Sequence, residues 1–350
     1  MGKSFIPFFL LVFSFVTLFS CSNSDSSSDN PAFQGLSFES LPLPQTDEEK
    51  LSVRVSPKAY VTYSDGTSKE FPLSYKTLFR SGDKDSQGGT AGLLYDKDGN
   101  PLGRVSNQPD ANSVFVRSGK YYLLTHFEDS PGAVYLTEIQ RLSDGTFNAV
   151  RFRNIDLSSV GGTFINCAGS KTPWDTHLAS EEDYYLDSYW FDPNTKNYTA
   201  QHIDYCNKDV DKHLTGGYTP PTFAPTADYS WWCSIVKGIR DDYLKDPSLF
   251  TPYNYGYNIE IAVDNNGNPS IVNGLKDYVF GKYTPENALV MPDNRTVYIT
   301  DDGSYVGFYM FIANKEKDLS AGTLYMAKWE QVSAERGGKA NLRWVKLGSG

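Results

Sequence analysis

Histidine and cysteine are scarce in this 350-residue chain, four of each, and their placement excludes several chemistries at once. His126, His177, His202 and His213 nowhere form the HExxH spacing of zinc hydrolases, and no GxSxG elbow offers an activated serine. The segment DKDSQG at 83–88 opens like a calcium loop, but its twelfth position is Leu94, where an EF-hand needs a bidentate glutamate. Runs of lysine and arginine are absent, so nothing in the chain is built to hold nucleic acid. Long apolar runs are absent too, apart from the one at the N-terminus, and helical periodicity is confined to KGIRDDYLKDPS, Lys237 to Ser248.

That single apolar run reads MGKSFIPFFLLVFSFVTLFSC. A lysine near the start, an apolar stretch of signal-peptide length and LFSC at the end fit a lipoprotein leader over residues 1–20, cleaved before Cys21 so that its thiol carries lipid. Residues 21–35 are then the lipidated cysteine and a flexible Ser/Asp-rich tether. The expectation is an exported bacterial lipoprotein, membrane-anchored and facing the periplasm or the cell surface. Of 32 basic side chains only Lys3 lies in the leader, so 31 face 42 acidic ones in the mature part, a balance of −11. Such a surface repels anionic substrates unless bound cations or a basic pocket reverse the field locally.

With Cys21 assigned to lipid, Cys167, Cys206 and Cys233 remain. In an oxidising compartment an odd number leaves one thiol unpaired. Cys206 and Cys233 bracket a Pro/Gly-rich loop and are the candidate disulfide, which leaves Cys167 free.

The rest of the chain is rich in aromatics (24 Tyr, 21 Phe, 6 Trp) and in short alternating segments bounded by turns. SDG at 64–66 and 143–145, DKDGN at 96–100 and DNNGN at 264–268 are hairpin signals. The reading is an all-β fold of many similar hairpins over residues 36–350. A barrel, a sandwich and a β-propeller all fit, and the length favours the propeller. NLRWVKLGSG still reads as strand and turn, so the last sheet is expected to be incomplete at Gly350.

The segment NCAGSKTPWDTHLASEE, Asn166 to Glu182, concentrates the reactive groups. Gly161, Gly162 and Gly169 let the backbone turn sharply around Cys167, and a free exported thiol survives when it is buried or ligated. Glu181 and Glu182 are neighbours on a strand and point to opposite faces, so one of them at most serves a site. Asn166 and His177 could add a donor or ligand. Glu128, Glu260, Glu286, Asp301 and Asp302 sit in similarly apolar surroundings or at strand ends. Acids of this kind assemble hard oxygen sites for calcium or, with a thiolate, mixed sites for iron. The same pattern also suits a buried structural cysteine beside solvated turn acids, and both accounts stand at this point.

The block GGTFINCAGSKTPWDTHLASEE resembles the hallmark of PhoX-type alkaline phosphatases, and THFEDSPGAVY, NYGYNIEI and TVYITDDGSYVGFYMFIA resemble further blocks of that family in the same order. The resemblance implies a six-bladed β-propeller whose central channel holds Fe3+ and Ca2+ and hydrolyses small phosphate monoesters outside the cytoplasm. It implies Cys167 as an iron-binding thiolate, Glu260 as an iron-ligating carboxylate and Glu182 as a carboxylate of the calcium–iron cluster. Glu286, Asp110 and Asp302 match acidic positions of the other blocks. Where the family usually has a His-Glu pair, this chain has Pro285 and Glu286. The expected protein is thus a lipid-anchored, monomeric phosphomonoesterase. The alternatives are a non-catalytic, calcium-binding surface propeller that binds a partner or glycan, and a calcium-dependent esterase or lactonase on the same architecture.

Overall fold

A computed structural model describes residues 31–182, 191–192, 197–198, 235–303, 306–335 and 337–350. The leader, Cys21 and the expected Cys206–Cys233 pair lie outside the described residues. Two compact units divide the chain, Met1–Lys76 and Thr77–Gly350. In the first, β1 (Phe33–Phe38), β2 (Lys58–Tyr63) and β3 (Ser68–Pro72) form one antiparallel sheet, with SDG turning β2 into β3. A helical turn there, Asp47–Lys50, starts with a reciprocal cap: Glu49 N–H donates to the Thr46 hydroxyl while the Glu49 carboxylate accepts from Thr46 N–H.

The second unit is a succession of antiparallel sheets. β4 (Leu93–Tyr95) and β5 (Pro101–Val105) pair across DKDGN. β6 (Pro109–Arg117), β7 (Lys120–Phe127), β8 (Ala133–Arg141) and β9 (Phe147–Asn154) form a four-stranded meander. β10 (Asn166–Lys171) and β11 (His177–Glu181) begin the next sheet; β12 (Phe191–Asp192) and β13 (Asn197–Tyr198) pair apart from it, and β14 (Asn258–Val263) and β15 (Pro269–Ile271) complete it. A five-stranded sheet follows, β16 (Pro285–Val290), β17 (Thr296–Asp301), β18 (Phe308–Lys315), β19 (Asp318–Ser333) and β20 (Lys339–Ser349). The turns foreseen at DKDGN, SDG and DNNGN are the hairpins of β4–β5, β8–β9 and β14–β15. The helical segment is there as well, but as a π-helical turn over Gly238–Tyr243. Gly238 packs so tightly on the Ser130 main chain that a Cβ would overlap it.

Consecutive sheets pack face to face, and strand alternation shows how. In β8, Ala133 and Tyr135 join Leu94, Phe127 and Phe152 in a core against the β4–β5 hairpin, while Val134 and Leu136 point the other way. There they meet Phe115 and Leu124, together with Ala179, Ile259, Ile261 and Val263 from the β10–β15 sheet. Leu178, one residue from Ala179, enters a further core with Ala288, Val297, Ile299 and Phe311 of the last sheet. Each Val, Leu, Ile or Phe among them contributes about 1.5–3 kcal/mol by leaving water. Strands buried on both faces, in four- and five-stranded antiparallel sheets stacked in chain order, make an all-β, propeller-like fold. Among the described residues no helix is long and apolar enough to cross a membrane.

Candidate metal centre

The same irregularity recurs at the start of three successive sheets. Pro109 pairs with Phe127, Asn166 with Glu181 and Pro285 with Asp301, and after each pair the first strand takes one residue more than its partner. A β-bulge of this kind breaks the in-out alternation and re-aims a side chain. The residue that follows the pair on the bulged strand is Asp110, Cys167 and Glu286 in turn. On the partner strand the residue that follows is Glu128, Glu182 and Asp302. Each of these three acids is tied back in the same manner, its N–H donating to Gln108 C=O at 2.9 Å, Ile165 C=O at 2.9 Å and Thr284 C=O at 3.0 Å respectively. Strand β10 lies beside β6 and also beside β16. Three equivalent corners, each with a bulge residue and a strand-end acid, thereby come to one place.

The ligand atoms of Cys167, Glu182 and Glu286 lie within 4.8 Å of one another; Cys167 and Glu182 are buried and Glu286 half-buried. The thiol faces the Pro285 carbonyl at 3.3 Å and Glu286 Oε2 at 3.7 Å. Glu128 stands in hydrogen-bonding contact with both Asp110 and Glu182. Burial and then the charges of Glu182 and Glu286 push the Cys167 thiol far up. Burial also raises the Glu128 and Glu286 carboxyls, and the charges acting on them are those of other acids, Asp110 and Glu286 on the first, Asp302 and Asp110 on the second. Crowded anions of this sort hold protons unless a cation replaces them.

The expected residues divide as follows. Cys167, Glu182 and Glu286 converge; Asp110 and Asp302 flank them, close enough for their charges to act on Glu286. Glu260 stands outside the converging group. It pairs with Leu178 on the third strand of the sheet, and its Oε1 accepts from Trp174 Nε1–H at 2.8 Å and from the Thr176 hydroxyl at 2.5 Å. Glu181 turns away from Glu182, as alternation demands, into a buried ion pair with Lys276 at 2.7 Å. His177 offers its ring nitrogens to Ser113 and His126. Asn166 receives the Thr163 hydroxyl on Oδ1 at 2.6 Å. Glu128, marked by its apolar surroundings but absent from the expected ligand set, proves to be a corner acid. Its signal was the match between THFED and the strand-end acids of the other sheets, hidden because the spacing from bulge to acid differs each time.

The stacked sheets of this all-β protein thus bring a thiol and several carboxylates to one point, a donor set that could hold a metal ion. The profile of the alkaline phosphatase PhoX family matches residues 141–350, and the chain belongs to that family. The matched stretch contains Cys167, Glu182, Glu260, Glu286 and Asp302; Asp110 and Glu128 precede it. No curated protein matches the chain.

Proposed function

We propose that this protein hydrolyses phosphate monoesters outside the cytoplasm with the help of cations held at the three converging corners. The observation that carries the reading is the meeting of Cys167, Glu182 and Glu286 within 4.8 Å. Two ligands of one ion, each bonded at about 2.0–2.6 Å, stand at most about 5 Å apart, so the spacing suits a shared cation. The donor set fits the expected metals: a thiolate with carboxylates suits iron, and the purely carboxylate corners around Asp110, Glu128 and Asp302 suit calcium. Glu260 is kept in the ligand set on the family likeness alone, because two donors already engage its Oε1.

Bound Fe3+ and Ca2+ would supply the positive charge that a phosphate dianion and its transition state require and that an acidic protein lacks. The protein's own residues hold and orient. The Glu181–Lys276 ion pair locks the end of β11, so that Glu182 keeps its direction, and the Pro285 carbonyl faces the thiol from the opposite sheet. The protein is further read as a monomer anchored by lipid on Cys21 at the periplasmic or outer face of a bacterial membrane. Its partners would be small phosphate esters and the membrane.

Elemental analysis of the purified full-length protein, paired with turnover of a chromogenic phosphate monoester, tests the reading. Finding neither iron nor hydrolysis would overturn it. Cys167→Ser separates it from a calcium-binding recognition propeller, which would keep its calcium and its partner. Release from the membrane fraction on Cys21→Ala tests the anchor.

A further inference from the structure

Beside Cys167 lies a buried polar chain that the proposed chemistry does not use. His126 and His177, one from β7 and one from β11, are both fully buried. Their Nε2 atoms stand 2.8 Å apart, with the rings edge to face at 87°. His126 Nδ1 lies 2.7 Å from the Cys167 carbonyl oxygen, and His177 Nδ1 lies 2.8 Å from Ser113 Oγ.

The directions of these bonds follow from the ends. A carbonyl only accepts, so His126 Nδ1 carries the proton and donates to Cys167. The 2.8 Å gap between the two Nε2 atoms has room for one proton, so in a neutral pair His126 Nε2 accepts from His177 Nε2–H. His177 Nδ1 then accepts from the Ser113 hydroxyl. Burial, which disfavours imidazolium, keeps both rings neutral. The bulge takes Cys167 out of register with β11, and a donor from another sheet engages its carbonyl instead. Gly169, two residues on, makes room: a Cβ there would stand 2.7 Å from His177 Cε1 and Nε2 and 2.9 Å from His126 Cε1, nearer than real atoms approach. Its φ is ordinary, so the requirement is steric.

We propose that Ser113, His177 and His126 form a hydrogen-bonded strut that fixes the Cys167 main chain, and with it the direction of the thiol, so that the sulfur is already aimed at Glu182 and Glu286 when a cation arrives. His126 is a positioning residue in this scheme, and the proposal rests on the metal reading of the site given above. Partners of this kind, one bond removed from a ligand, typically govern metal affinity by about ten- to hundred-fold.

The test uses full-length protein stripped of metal, with Co2+ alone as the probe, because its thiolate charge-transfer band reports the sulfur directly. His126→Leu removes the donor, whereas His126→Asn keeps an N–H near the Nδ1 position. Expected are a Co2+ affinity at least about ten-fold weaker with a diminished band in His126→Leu, and affinity within about three-fold of wild type with the band retained in His126→Asn. A second readout needs no metal: alkylation of the Cys167 peptide, followed by mass spectrometry, should run several-fold faster in His126→Leu than in wild type or His126→Asn. Equal Co2+ binding and equal alkylation in wild type and His126→Leu would overturn the strut. Wild-type protein that binds no Co2+ through sulfur would sink the metal reading instead, while the alkylation rates still decide the strut. Should His126→Leu fail to fold, Ser113→Ala, which frees the far end, is expected to speed alkylation by a smaller factor, and an unchanged rate there would count against the proposal.

Discussion

Glu181 and Glu182 are adjacent and chemically identical, yet their replacement by glutamine should have opposite consequences. Glu181 Oε1 holds Lys276 at 2.7 Å with both side chains out of water, and Glu181 Oε2 accepts from Tyr257 N–H at 3.2 Å. Glu181→Gln leaves the ammonium buried with the Asn254 carbonyl at 2.8 Å and the Tyr255 ring at 4.4 Å. Breaking one side of a buried pair costs about 3–5 kcal/mol. Glu182 instead adds a negative charge within 4.8 Å of Glu286. Two ionised carboxylates at that separation repel by about 3.5 kcal/mol at an effective dielectric constant near 20, and partial protonation relieves some of it. Glu182→Gln should therefore leave the metal-free protein as stable as wild type or more stable by about 1–2 kcal/mol, yet weaken cation binding by at least about ten-fold. Urea unfolding in the presence of a chelator, followed by calcium titration of the folded variants, reads both quantities. If Glu182→Gln destabilises the metal-free protein as much as Glu181→Gln, or if Glu181→Gln is the variant that loses calcium while staying folded, the division of labour argued for these neighbours is wrong.

Burial lowers His126 from its ordinary value of 6.5 to about 4. The unfolded chain therefore takes up a proton that the native state refuses; stability is level above pH 6.5 and falls between 6.5 and about 4 by roughly 3 kcal/mol, with His177 adding in the same direction. Urea midpoints should fall as pH drops across that range for wild type and fall less steeply for His126→Asn, which keeps the contribution of His177. The raised carboxyls of Glu128 and Glu286 act oppositely, destabilising the metal-free protein as pH rises through their shifted values, and added calcium should abolish that part alone. Gly132→Ala would drive a methyl group into Asn166 Oδ1 and to 2.9 Å from Thr163 Oγ1, so it should cost about 2 kcal/mol or more and displace the start of β10; wild-type thermal stability in that variant would contradict the packing. Cys167→Ser should keep the fold, since the site is small and the change near isosteric, and lose iron and phosphatase turnover together, measured by elemental analysis and by the chromogenic ester.

Much of the fold was legible along the chain. Glycine-containing turns such as DKDGN and DNNGN call for left-handed backbone that glycine supplies, with Gly99 at φ 79° and Gly267 at φ 78°, and the period-two patterns between them read directly as strands. The opposite aim of Glu181 and Glu182 was readable for the same reason, because strand geometry is local. The helical stretch is legible along the chain but not its π form, nor the close approach of Gly238 to Ser130, a contact between residues far apart in sequence.

The candidate site was legible as a set of residue types but not as an arrangement. The residue types of Cys167, Glu182 and Glu286 stand out along the chain, but their convergence does not, nor do the hydrogen bonds of Glu260 to Trp174 and Thr176 or the contact of Glu128 with Asp110 and Glu182. The amino-acid sequence by itself determined strands, turns and an excess of acid, because propensity, alternation and charge are properties of neighbouring residues. Only the tertiary structure decided that three bulges occupy equivalent corners of three packed sheets, since a bulge is defined by how one strand registers with another and no single strand carries that information.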